Sequence, residues 1–358
     1  MSRRAALLAH TAPGLRLGQA SGKWVVAAAV LGSGVASLDA TVVNIALPAL
    51  GRDLHAGFDG LQWTITGYTL TLASLILLGG SLGDRYGRRR IFIIGTLWFA
   101  GASALCALAP SIEVLVAARA LEGVGGALLT PGSLAMIQAS FAEQDRGKAI
   151  GAWSGFGGVT TAIGPFLGGY LVQGPGWRWV FLINLPVAAL VVAIARQRVP
   201  ESRDPNAAQR LDLVGAVLGT LGLGGLTYAL IGASSGWSGR TVLSLLVGLV
   251  ALGAFVVNEL RSANPMIPSA MFGSRQFTAT NVVTFVVYAA LGGLFFFLVI
   301  DLQVVAGFSP VLAGSALLPV TVIMLLLSSR AGALSDRIGP RLPMSLGPLL
   351  AAGGTLLL

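Results

Sequence analysis

Gly80-Ser81-Leu82-Gly83-Asp84-Arg85-Tyr86-Gly87-Arg88-Arg89-Arg90 decides the reading of this chain. The stretch is cationic, punctuated by glycine, and set between two long apolar runs. A weaker copy recurs 252 positions later as Gly332-Ala333-Leu334-Ser335-Asp336-Arg337-Ile338-Gly339-Pro340-Arg341. Gly, Leu, Asp, Arg, Gly and Arg coincide at 80/332, 82/334, 84/336, 85/337, 87/339 and 89/341. Such a repeat in an apolar chain points to two related membrane halves, the architecture behind many alternating-access devices.

Outward from that stretch the chain stays apolar. Of its 358 residues 55% are hydrophobic and only 10% charged, too little charge to solvate a soluble protein of this length. Most apolar runs reach the roughly 20 residues a helix needs to cross the ~30 Å hydrocarbon core. The 49 glycines would break helices in water but let membrane helices approach closely. The fold class is therefore an all-α polytopic membrane protein, with the lipid bilayer as its solvent. The net charge of +9 does not mark a nucleic-acid partner, because the charges follow membrane topology and not one face. Cys106 is the single cysteine, so internal disulfides are excluded. His10 and His55 lie far apart outside the apolar runs, and no metal, cofactor or His-based catalytic group is expected. Gly83-Asp84 has the look of half an aspartyl protease pair, but no partner aspartate sits at matching depth, so no enzyme is expected. A sensor or scaffold would need a sizeable soluble domain, and none is visible.

The apolar runs divide into spans at about 24–50, 61–82, 91–109, 112–137, 148–173 and 178–197, then 212–233, 240–260, 277–303 and 311–333, with an eleventh opening near 342. Residues 1–23 read as a cytoplasmic tail: Ala5-Ala6-Leu7-Leu8 is too short for a signal-peptide core. Residues 24–197 form a six-helix bundle, 198–262 a linker and two-helix insert, and 263–358 a C-terminal bundle. With the N-terminus inside, 19 of the 23 basic residues fall on the inner side, Arg52, Arg178 and Arg240 fall outside, and Arg119 lies within a span. That bias predicts a cytoplasmic-membrane protein with an inner N-terminus. The second half has three spans against six in the first, which reads as a chain cut short at Leu358, the alternative being a naturally short protein.

Three ionisable residues fall well inside spans one to six: Asp39, Arg119 and Glu122. A charge at mid-bilayer costs several kcal/mol, so each must face a cavity or a partner. Asp39 lies in Leu38-Asp39-Ala40-Thr41-Val42-Val43-Asn44-Ile45-Ala46-Leu47-Pro48. A carboxylate poised between burial and a nearby cation can exchange a proton on modest rearrangement. The alternative is an aspartate that only packs helices through hydroxyl or backbone contacts. Arg119 and Glu122 are three apart, neighbours on one helix face. They are either a simple intrahelical ion pair, or Arg119 tunes a titrating carboxylate across a cavity. Pro165 lies among Gly164, Gly168 and Gly169, where it kinks span five and leaves a smooth surface for another helix. In the opening stretch Gly83 and Gly87 suit a tight turn, and Asp84 can cap a helix or pair with Arg85 or Arg88. Such a cluster either latches the two halves or, through Arg88, Arg89 and Arg90, anchors the loop inside.

These residues resemble the major facilitator superfamily. Gly80–Arg90 is similar to its signature between spans two and three. Arg119–Ala127 resembles the span-four motif tied to proton coupling, and Gly164-Pro165-Phe166-Leu167-Gly168-Gly169 the span-five motif of antiporters. The stretch around Asp39 is similar to the span-one motif of the fourteen-span drug:proton antiporters. The eight spans between the two loop copies agree with that subfamily, about 11 of an expected 14 helices being present. Three departures stand out: Thr160 where Gly is usual, Glu122 where Gln is frequent, and Asp301 near the outer end of span nine.

The resemblance implies a monomeric, proton-coupled antiporter that exports hydrophobic or cationic small molecules by alternating access. Asp39, Arg119 and Glu122 would couple protons. Gly80, Gly83, Asp84, Arg85, Gly87, Arg88 and Arg89, with Asp336 and Arg337, would form the gating loops. Gly164, Pro165, Gly168 and Gly169 would form the antiporter helix, and Asn44, Trp63 and Tyr68 would line the substrate cavity. The same fold also suits one specific cargo, such as an amino acid, sugar, siderophore or endogenous antibiotic. A chain cut short is expected to transport poorly.

Overall fold

A computed structural model describes residues 15–205, 211–233, 236–262, 265, 271, 273–320, 322–323, 326–327, 338 and 341–356. Most of the second loop copy, including Asp336 and Arg337, lies outside the described residues.

The first six helices are α1 (Ala20–Asp53), α2 (Phe58–Tyr86), α3 (Arg88–Ala107), α4 (Ile112–Ser140), α5 (Glu143–Gln173) and α6 (Trp179–Arg198). The next two are α7 (Leu213–Gly232) and α8 (Gly239–Arg261). Then come α9 (Arg275–Ile300), which runs into a π turn at Asp301–Val305, α10 (Pro310–Val320) and α11 (Arg341–Thr355). Seven of the described helices are long and apolar enough to cross a membrane by length and composition. Helices suit that setting because each satisfies its own backbone polar groups where water is absent. Five of the described starts carry side-chain caps: Ser111, Asp212, Ser238, Ser274 and Ser309 each accept from a backbone N–H three residues on.

The cationic stretch is a corner and not a loop. α2 continues to Tyr86 and α3 begins at Arg88, so Gly87 alone turns the chain, at φ 116°. Only glycine adopts that backbone without strain. Gly83 takes no part in the turn; it is helical, and its carbonyl accepts the Gly87 N–H at 3.0 Å.

α1–α6 pack into one bundle with two apolar clusters. One, toward the Gly87 corner, gathers Val25, Phe92, Phe99, Met136, Ile137 and Val199. The other, toward the opposite end, gathers Leu47, Leu50, Leu115, Trp177 and Phe181. α2 and α4 touch through glycine, since a methyl group on Gly79 would strike the Ala127 backbone and one on Gly123 the Tyr68 carbonyl. α7 and α8 close on each other in the same way, through Gly222, Gly225 and Gly248. That pair meets the bundle along α2, where Trp63 and Tyr228 lie 6.1 Å apart.

α9 and α10 lean on the bundle at the end away from the Gly87 corner. Gln303 donates to the Ile45 carbonyl at 3.0 Å, and Phe58 meets Phe296 and Phe297 at 5.6 and 6.1 Å. Much of α9 is otherwise uncovered, with Phe285 75% exposed.

Candidate functional site

Between the two apolar clusters of the bundle sits a charged trio. α1 brings Asp39, and α4 brings Arg119 and Glu122, one helical turn apart. All three are buried, none more than 1% exposed. One guanidinium nitrogen of Arg119, Nη1, donates to Asp39 Oδ2 at 2.5 Å and to Glu122 Oε2 at 2.6 Å. Arg119 therefore pairs within its own helix and also across to α1. No cavity separates it from Asp39.

Neighbouring helices complete the shell. Arg119 Nε donates to the Thr64 carbonyl of α2 at 3.1 Å. The Tyr68 ring lies 4.3 Å from the guanidinium carbon and the Phe181 ring 5.8 Å, so the cation rests on aromatic faces as well as on carboxylates. Asn184 of α6 donates to Asp39 Oδ1 at 3.3 Å and to Ser103 Oγ of α3 at 2.8 Å. Ser103 in turn donates to the Phe181 carbonyl at 3.1 Å. Cys106 approaches Glu122 Oε2 at 3.5 Å. Glu122 Oε1 makes no hydrogen bond among the described residues. With both acids ionised the buried trio carries −1, and a single proton neutralises it.

Asn184, Ser103, Thr64 and Cys106 escaped the sequence reading. Asn184 left a signal, being an amide inside an apolar span. Two residues on, Pro186 lacks the N–H that would reach back to Leu182, and α6 breaks at Ile183. Thr64 acts through its carbonyl and leaves no signal.

Tyr68 has a second face. With Ser33, Ser37, Thr69, Thr130 and Trp153 it borders a cavity of about 440 Å³ between α1, α2, α4 and α5. Its hydroxyl donates to the Ala36 carbonyl at 3.3 Å, and Trp153 donates to Ser33 Oγ at 2.8 Å. No ionisable acid or base other than tyrosine lines this space. Asn44 and Trp63 do not border it: Asn44 donates to the Ala40 carbonyl of its own helix, and Trp63 faces α7.

At the Gly87 corner, Asp84 pairs with Arg88 at 2.8 Å and the Arg85 guanidinium lies over the Tyr86 ring. Gly80 packs beside Pro131 of α4. The corner's described partner is the segment after α6. Glu201 accepts from the Arg89 backbone at 3.0 Å, Arg89 Nη1 donates to the Val199 carbonyl at 2.9 Å, and Arg88 N–H donates to the Ser202 carbonyl at 2.9 Å. Sequence reasoning did not single out Glu201.

On α5 the glycines face two ways. Gly164 packs on Thr41 and Gly168 on Val42 of α1, while Gly169 meets Pro310 and the Pro165 carbonyl meets Gly314 of α10.

Helices of membrane-crossing length, a buried charged trio and an uncharged cavity within one bundle define a polytopic membrane protein. Residues 29–358 match the Major Facilitator Superfamily, and the chain belongs to that family. It is 42% identical over 318 residues to the puromycin resistance protein pur8 of Streptomyces alboniger, covering 88% of this chain and 63% of that protein. It is 38% identical over 350 residues to the tetracenomycin C resistance and export protein of Streptomyces glaucescens, covering 96% and 64%. The chain thus spans less than two thirds of the length of these curated relatives. In fold it is similar to a peptide transporter POT solved with sulfate, at TM-score 0.64 and 14% identity over 95% of this chain and 73% of that one.

Proposed function

We propose that this chain belongs to a proton-coupled antiporter that exports hydrophobic or cationic small molecules, the drug-resistance names of its relatives being the guide to cargo. The observation that carries the reading is Arg119 held by two carboxylates, from two helices, in the buried interior. One proton on Asp39 removes the carboxylate charge that ties α1 to α4, and one on Glu122 leaves Asp39 as the sole counter-charge of Arg119. α1 also supplies Ser33, Ser37 and Ala40 to the cavity wall, within two turns of Asp39. A proton that loosens α1 therefore alters the cavity, and substrate that favours one arrangement alters the proton's affinity, since a ligand shifts conformations only by its differential affinity. The uncharged cavity would hold a lipophilic cation against the faces of Trp153 and Tyr68.

The finer parts of the reading go with it. The N-terminus lies inside, as the basic residues favour. α7–α8 are an insert between two bundles of a fourteen-span plan, a reading supported by their packing on each other and on α2. The protein works as a single chain. A narrower cargo, one endogenous antibiotic, is favoured by relatives named for puromycin and tetracenomycin C.

The test uses the whole chain in everted vesicles with an acid interior. Adding a lipophilic cation releases protons from the parent and at least about tenfold fewer from a correctly inserted Asp39→Asn, the scale of a lost coupling energy. Undiminished proton-coupled transport by Asp39→Asn removes Asp39 from the coupling step.

A further inference from the structure

A second hollow, about 380 Å³, opens on the outer face of the bundle where α3 meets α6, next to the Gly87 corner. Its rim is basic: Arg89 and Arg90 from the first turn of α3, and Arg196 from the last turn of α6. Its floor is aliphatic: Ile93, Ile94 and Leu97. Arg90, Ile94 and Leu97 fall on one stripe of α3, spaced i, i+4 and i+7.

The charges of the rim do not cancel. Glu201 is the acid that borders the hollow, and it is engaged with Arg89, to whose backbone it is bonded at 3.0 Å and to whose side chain it lies at 3.7 Å. Arg90 and Arg196 make no side-chain hydrogen bond or ion pair among the described residues. Three guanidiniums in the first turn of α3, from Arg88, Arg89 and Arg90, add to the positive end of the helix dipole instead of opposing it. The rim thus holds two unneutralised cations at the end of two membrane-crossing helices, while the floor descends about 10 Å from Arg90 to Leu97 at the rise of an α-helix.

We infer that this hollow is a binding site for one anionic phospholipid. Its phosphate would sit between Arg90 and Arg196, and its acyl chain would lie along Ile94 and Leu97. A free anion accounts for the arginines but leaves the aliphatic floor unused. A zwitterionic lipid accounts for the floor but brings no net charge to two unpaired guanidiniums. Basic hollows between membrane helices take acidic headgroups for this reason, each arginine adding attraction at the surface. The site lies outside the charged trio and the cavity, so it stands or falls apart from the transport reading.

The test is retention of lipid by the whole purified chain, read by native mass spectrometry from mixed micelles of dodecyl maltoside with phosphatidylglycerol, with phosphatidylcholine, or with inorganic phosphate added to either. One retained phosphatidylglycerol per chain is expected, against little phosphatidylcholine, with phosphate unable to displace it. Arg90→Gln with Arg196→Gln is expected to lower retention by about an order of magnitude or more. Lys at both positions should restore most of it. Leu97→Trp, which fills the floor and leaves the charges in place, tests the same point should the double variant fail to insert. Equal retention of the two lipids, full displacement by phosphate, or undiminished phosphatidylglycerol retention by Leu97→Trp would overturn the assignment.

Discussion

Arg119 is the residue on which the bundle's interior turns. A buried guanidinium is tolerable only while its charge is answered, and here two acids answer one cation. The arithmetic of charge makes a sharp prediction. Asp39→Asn or Glu122→Gln alone leaves the trio neutral with its hydrogen-bonding shape kept. Each should fold within about 0.5–1 kcal/mol of the parent while losing proton coupling. The double variant strands a lone buried cation and should lose about 3–5 kcal/mol, well beyond the sum of the two. Thermal unfolding of the four proteins in detergent closes that cycle, and additive losses would remove the shared-cation account. The three charges were legible in the sequence, because an ionisable residue inside an apolar span has nowhere to hide. Their shell was not: Asn184 reaches Asp39 across 145 positions while bonded to Ser103 of a third helix, and no local pattern records that meeting.

Among the elements, α5 carries the most information per residue. Its two glycine faces let α1 and α10 approach at once, so side-chain volume there should matter by position and not by residue type. Gly164→Val forces a branched side chain into Thr41 and should destabilise by about 1–3 kcal/mol through overpacking. Gly155, earlier on the same helix, has nothing within 4 Å, and Gly155→Val should change stability by no more than about 0.5 kcal/mol. The same measurement on both, loss of helical signal on heating, separates packing from helix propensity. At the Gly87 corner, Gly87→Ala meets both a backbone at φ 116° and the Glu201 carboxyl at 2.8 Å, and should cost about 1–3 kcal/mol. The sequence reading placed the first nine helices within a few residues of where they run, because apolar length and cationic ends mark a span directly. It took the corner for a loop because Gly83 and Gly87 look alike in a string of letters. Only the hydrogen bond from Gly87 back to Gly83 separates the one that turns from the one that stays helical.

In the whole molecule, the described contacts from α9 and α10 to α1 and α5 gather at the end away from the Gly87 corner. Gln303 on Ile45, Phe296 on Phe58 of α2 and Gly314 on Pro165 join the elements at that end. A bulky side chain at Gly314 should pry it open. In a Cys106→Ala background, a cysteine placed at Ile45 should react several-fold faster with a water-soluble maleimide once Gly314→Leu is added, in keeping with a population shift of about 1 kcal/mol or more. Equal rates would place the closure elsewhere. None of this was readable beforehand, since the residues in contact lie more than 130 positions apart. The chain also carries its own stopwatch. Cys106 is fully buried and rests against Glu122, and a thiol can be alkylated only when a reagent reaches it. In the unaltered protein, the rate at which a small alkylating agent consumes that one sulfur counts how often the charged centre opens. Substrate and acidity can then be compared by their effect on a single clock.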